Sequence, residues 1–106
     1  MTLENFNTSV SRQLNYCESL LVQKGKEYAP QADVDRLSSF KIAGELQDIS
    51  PKEALCGMLA KHVVSVYEMC RTHEPYSIEK WTEKITDTIN YLLILKAMVD
   101  DETEQR

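Results

Sequence analysis

Residues Trp81–Leu95, WTEKITDTINYLLIL, leave this chain little choice of secondary structure. Ile78, Trp81, Ile85, Ile89, Leu92 and Val99 recur at helical steps, which predicts a helix with this face buried. Glu83, Asp87 and Asn90 keep the same steps on the opposite side. From Tyr91 to Leu95 the chain is apolar nearly all round. A helix that begins two-faced and becomes wholly apolar needs cover on more than one side, from its own chain or from a second subunit. The polar stripe then becomes a candidate wall of a crevice.

The rest of the chain repeats the helical period. Leu3, Phe6, Val10, Leu14, Cys17, Leu21 and Lys24 outline a first helix, with Thr2 placed to cap it and Gly25 near its end. Tyr28–Asp35 holds Pro30 among small and capping residues and reads as a loop. A short helix is expected from about Arg36 to Leu46, burying Leu37, Phe40 and Ala43. Ser50, Pro51 and Glu53 form a helix-start signal, with a capping residue, a first-turn proline and the glutamate of a capping box. That third helix should run to about Thr72. His73–Tyr76 breaks it, Ser77 caps a fourth helix, and the charged tail from Asp100 is expected to fray. No run alternates with the two-residue period of a strand. The sequence therefore predicts one all-α domain over residues 1–106, bundle-like, with three long helices and one short one.

Composition narrows the function classes. A formal net charge of −5 disfavours phosphate-backbone or anionic-membrane binding, and no basic face is visible. The longest apolar run, Tyr91–Leu95, is too short to span a bilayer. Met1–Asn5 carries an acid and no apolar run, so no signal peptide is expected. Cys17, Cys56 and Cys70, an odd number without a CxxC pair, predict reduced thiols on buried helix faces of a cytoplasmic protein.

Three groups of residues could carry chemistry. Leu55, Leu59, His62 and Val66 share one stripe, so His62 faces the core or a crevice. It is either a core histidine satisfied by its neighbours or, with Ser65 a turn on, a group that meets Asp87 across a helix pair. Glu83 and Asp87, like charges one turn apart, are either a solvated face or two oxygen ligands for Mg²⁺ completed by substrate phosphates. Lys24, Lys26, Tyr28 and Arg36, with Phe40 nearby, could hold phosphates and stack a base. Lysines that simply complement a helix dipole fit the same positions. Cys70-x-x-His73 lacks the further converging ligands that zinc requires. No glycine-rich phosphate loop, HExxH motif or serine triad is present.

Glu83-Lys84-Ile85-Thr86-Asp87-Thr88-Ile89-Asn90-Tyr91-Leu92 resembles the second acidic motif of the all-α nucleoside triphosphate pyrophosphohydrolases, the MazG-like family. That motif reads roughly E-E-L-x-D-x-L-x-Y-L, and the match falls at Glu83, Asp87, Tyr91 and Leu92. The chain is more closely similar to small phage and prophage proteins with four such elements. These are a K-x-x-E-Y loop (Lys24–Tyr28), a D-R-L-x-x-F segment (Asp35–Phe40), a K-H-x-x-S helix (Lys61–Ser65) and a W-x-E-K-I-x-D-x-I-N-Y helix (Trp81–Tyr91).

The resemblance implies a four-helix core, homo-oligomers (dimers or tetramers) that bury apolar helix faces, and a nucleotide partner in the cytoplasm of a bacterial host. It also implies Mg²⁺ held by an E-x-x-E and an E-x-x-D pair, and cleavage of a nucleoside triphosphate between the α- and β-phosphates. Here His62-Val63-Val64-Ser65 stands at the first pair, and Lys84 at the glutamate of the second. Two functions follow as expectations. In a nucleotide-processing enzyme, Asp87 and Glu83 would hold Mg²⁺, His62 would serve as acid or base, and Lys24, Lys26, Tyr28, Arg36, Lys84 and Asn90 would contact substrate. Alternatively, the chain is a non-catalytic nucleotide-binding or protein-interaction module on the same fold.

Overall fold

A computed structural model describes residues 1–28 and 34–104, except for the side chain of Tyr28, and is all-helical with no strand among those residues. Four helices follow in chain order: α1 (Leu3–Tyr28), α2 (Ser38–Gln47), α3 (Pro51–Arg71) and α4 (Ile78–Glu104). The expected caps are in place. Thr2 Oγ1 accepts from the Asn5 amide at 3.0 Å, and Ser77 Oγ accepts from the Lys80 amide at 3.1 Å. Ser50 and Glu53 complete a reciprocal capping box behind Pro51. These bonds satisfy amides that a helix start otherwise leaves without partners.

α3 and α4 pack antiparallel, with Lys52 reaching Glu102 at one end and His62 meeting Asp87 nearer the other. α1 lies along α4 in the same sense. Its Gln13 side chain donates to Thr86 Oγ1 at 2.7 Å and to Cys17 Sγ at 3.3 Å. Thr86 and Cys17 are fully buried, so a short polar link seals the α1–α4 contact. Leu37, Phe40, Leu55 and Met98 form the buried centre, flanked by Met58, Tyr91, Ile94 and Leu95. The turn from α2 to α3 is closed by Asp48 in the left-handed region (φ 57°) and by the Ile49 amide, which donates to Gly44 O at 2.9 Å.

Several expectations need correction. α1 continues through Gly25 to Tyr28, and α2 begins at Ser38 rather than Arg36 because the Asp35 carboxylate accepts from the Leu37 amide and holds a turn there. Most of the expected 28–35 loop, residues 29–33, lies outside the described residues. The tail does not fray at Asp100: the helix runs to Glu104, tied by Lys41–Asp101 and Lys52–Glu102 pairs to α2 and α3. Of the cysteines only Cys17 is buried; Cys56 and Cys70 sit exposed on α3.

The largest correction concerns α4. The face expected to be buried is largely open, with Ile78 71 %, Leu92 51 % and Val99 42 % exposed. The opposite side is the buried one, carrying Thr86, Asn90 and Met98. The physical reason is that α1, α2 and α3 all pack on the side bearing Asp87 and Asn90. Trp81 and Ile89 are half-buried, while the other members of the apolar stripe are left open by the described residues.

Candidate functional site

The packing of three helices against one side of α4 leaves a crevice of about 340 Å³ bordered by all four. Its floor and walls are apolar and aromatic, from Leu21, Phe40, Met58, Tyr91 and Ile94. Its polar groups are few. His62 enters from α3, Asp87 and Asn90 from α4, Lys24 from α1, and Arg36 and Ser39 from the segment around the start of α2. A mostly apolar recess with a few placed polar groups is the usual build of a small-molecule site.

Helical spacing explains the α4 contribution. Asp87, Asn90, Tyr91 and Ile94 are three and four residues apart and so lie on one face, turned toward α3. His62 Nδ1 stands 3.9 Å from Asp87 Oδ2, and both side chains are 24 % exposed. That separation permits charge attraction once the imidazole is protonated, but exceeds a direct hydrogen bond. The His62 ring also rests against Tyr91, with centroids 4.9 Å apart and planes tilted by 36°. This contact fixes the imidazole at the crevice wall. Gly25 admits Arg36 to the opposite side, since a Cβ there would lie 3.2 Å from Arg36 Nε.

Asn90 is the most telling residue. It is 7 % exposed, and its Oδ1 is buried with no hydrogen-bond partner among the described residues. Leaving such an acceptor unsatisfied costs about 1–3 kcal/mol. A group that must be buried and yet is unpaired at the edge of a recess is prepared for a donor from outside.

Among the expected site residues, His62, Asp87, Asn90, Lys24 and Arg36 therefore converge. Others do not. Glu83 is exposed, lies one turn before Asp87 on α4 and does not border the crevice. Lys26 is exposed, while Lys84 and Ser65 are half-buried, and none of the three borders the recess. Tyr28 ends α1, and its side chain lies outside the described residues. Ser39 and Met58 belong to the wall, and no spacing signal in the sequence singled them out.

The expected Mg²⁺ pair is thus split. Asp87 is the one carboxylate bordering the crevice, and no three His, Cys, Asp or Glu side chains converge on a metal position among the described residues. Mg²⁺ favours several hard oxygens in octahedral array, and one carboxylate beside an imidazole does not fit it. No step below passes through a metal. Comparison with known proteins finds no protein-family model, curated protein or solved structure that matches this chain.

Proposed function

We propose that this chain is a nucleotide-binding module that holds a phosphorylated, ring-bearing ligand in the α1–α4 crevice without cleaving it. The unpartnered Asn90 Oδ1 carries the reading. A heterocyclic base offers N–H donors along its edge and a flat face for Tyr91 and Phe40, and its phosphates would meet Lys24 and Arg36. The split carboxylate pair favours binding over hydrolysis, because phosphoryl-transfer catalysis rests chiefly on charge stabilisation. The likeness of Glu83–Leu92 to the second acidic motif of MazG-like chains supports the same ligand class.

Calorimetric titration of the full chain with nucleoside mono-, di- and triphosphates, in EDTA and then in Mg²⁺, tests it. At least one nucleotide should bind in EDTA. Lys24→Ala should weaken that affinity about tenfold, the scale of one charge-assisted hydrogen bond. No heat with any nucleotide in either buffer overturns the proposal. The His62–Asp87 pair keeps a second reading open, in which the imidazole serves as acid or base. Pyrophosphate released from a triphosphate by the parent chain, but not by Asp87→Ala, would establish that reading instead.

A further inference from the structure

The crevice has two chemically different ends. Lys24 and Arg36 border it from α1 and from the segment before α2, while α4 contributes Asp87 and Asn90, three residues apart on one helix face. The α4 end is rich in acceptors. An ionised carboxylate only accepts hydrogen bonds, and Asp87 takes none from the described residues. Its charge partner there, His62 Nδ1, stands 3.9 Å from Oδ2 and is beyond hydrogen-bond reach. Asn90 Oδ1, on the same face, is buried and likewise has no partner among the described residues.

Neighbouring acceptors call for neighbouring donors. Among the common nucleobases, guanine alone sets a ring N–H (N1) next to an exocyclic amino group (N2). Uracil and thymine carry one N–H between two carbonyl oxygens, and these would face the Asp87 carboxylate. Adenine and cytosine place a ring-nitrogen acceptor beside their amino group. We propose that the crevice selects guanine nucleotides, whose N1–H and N2–H edge donates to Asp87 and Asn90 Oδ1 while the phosphates lie toward Lys24 and Arg36.

This selection rests on the nucleotide-binding reading above and adds which base is read. Phe40 and Tyr91 in the wall offer a purine a flat apolar face. A plain amine would also satisfy the α4 acceptors, but it would set its positive charge against Lys24 and Arg36. Discrimination comes from loss as much as from gain. A base that lacks one of the two donors leaves an acceptor of the recess unpaired.

Calorimetric titration of the full chain with guanosine, inosine and uridine monophosphates, in EDTA, tests the assignment. Inosine keeps N1–H and lacks only the amino group. Guanosine monophosphate should bind about tenfold more tightly than inosine monophosphate, the scale of one hydrogen bond to a charged group. The uridine nucleotide should also bind more weakly than the guanosine one. Asp87→Asn, whose amide can turn a donor toward the ligand, should largely erase the guanosine–inosine difference. Lys24→Ala should weaken both nucleotides alike and leave their ratio unchanged.

Equal affinity for the guanosine and inosine nucleotides overturns the base assignment and leaves nucleotide binding standing, as does a preference that survives Asp87→Asn. Absence of binding by every nucleotide overturns both. The guanosine-to-inosine ratio is measured on the parent chain, so the assignment can be rejected even if Asp87→Asn does not fold.

Discussion

Asn90 and Asp35 show how differently a single polar side chain can be used in this protein. Asn90 is buried with its carbonyl oxygen unpaired among the described residues, which lowers stability. Asn90→Leu, nearly equal in shape, removes the unsatisfied acceptor and should raise the unfolding free energy by about 1 kcal/mol in urea titrations. The same change should abolish nucleotide binding, so stability and function would move in opposite directions. Asp35 is fully engaged instead. Its carboxylate accepts from Lys41 Nζ at 2.5 Å and from the Leu37 amide at 3.0 Å, and the first of these chiefly holds its pKa below the ordinary value of 3.8. A carboxyl with a depressed native pKa stabilises the fold above its unfolded pKa, and that contribution is lost as pH falls through the native value. Asp35→Asn should therefore melt lower than the parent chain at pH 7, with the gap closing as pH drops below 3.8. Parallel melting curves across that range would contradict the assignment.

At the scale of elements, the starts of α1, α3 and α4 were plain in the sequence and the covered face of α4 was not. Thr2, Ser50 and Ser77 each announce a helix through a side chain that satisfies its own first turn, a local bond that needs no knowledge of the fold. Ser50→Ala should accordingly cost about 1 kcal/mol in a thermal or urea unfolding experiment. Helical period puts His62 on the apolar stripe of α3, but it set Asp87 on the side of α4 opposite the stripe expected to be buried, so the meeting of the two is a product of tertiary packing. Which side of α4 its own neighbours would cover could not be read that way. The strongest apolar stripe, Ile78 to Val99, names a face that must be buried by something, and periodicity cannot distinguish α3 from a second subunit. Glu83 was grouped with Asp87 on spacing, but the end of a crevice is set by tertiary packing. The α2–α3 turn was hidden for a related reason. Gly44 there sits so close to the next strand of backbone that a Cβ would lie 2.7 Å from Ile49 O and 3.1 Å from Pro51 N. Both neighbours are main-chain atoms, so Gly44→Ala cannot be relieved by a rotamer change and should destabilise by about 1–3 kcal/mol. An unchanged melting temperature would show that the turn can open.

For the whole molecule, the decisive quantity is the ratio of covered to open apolar surface. The buried centre is small, resting on Leu37, Phe40, Leu55 and Met98, while the stripes on α1 and α4 remain in contact with water. A domain of this size already buries a modest fraction of its chain, so an uncovered stripe removes a large share of the available driving force. Long-range charge does not assist association: each copy carries a formal charge of −5, so two copies repel until the apolar surfaces meet. If a second copy covers that stripe, as the family resemblance implies, folding and association should be one process. In that case stability depends on protein concentration, because dilution favours the separated, unfolded chains. Each tenfold dilution should remove about 1.4 kcal/mol per mole of dimer, lowering the melting temperature measurably between 100 and 1 µM. Salt should raise the melting temperature at fixed concentration by screening the repulsion between copies. A melting temperature unchanged over that hundredfold range would mean that the small centre alone suffices, and that the open face of α4 is not an obligatory interface.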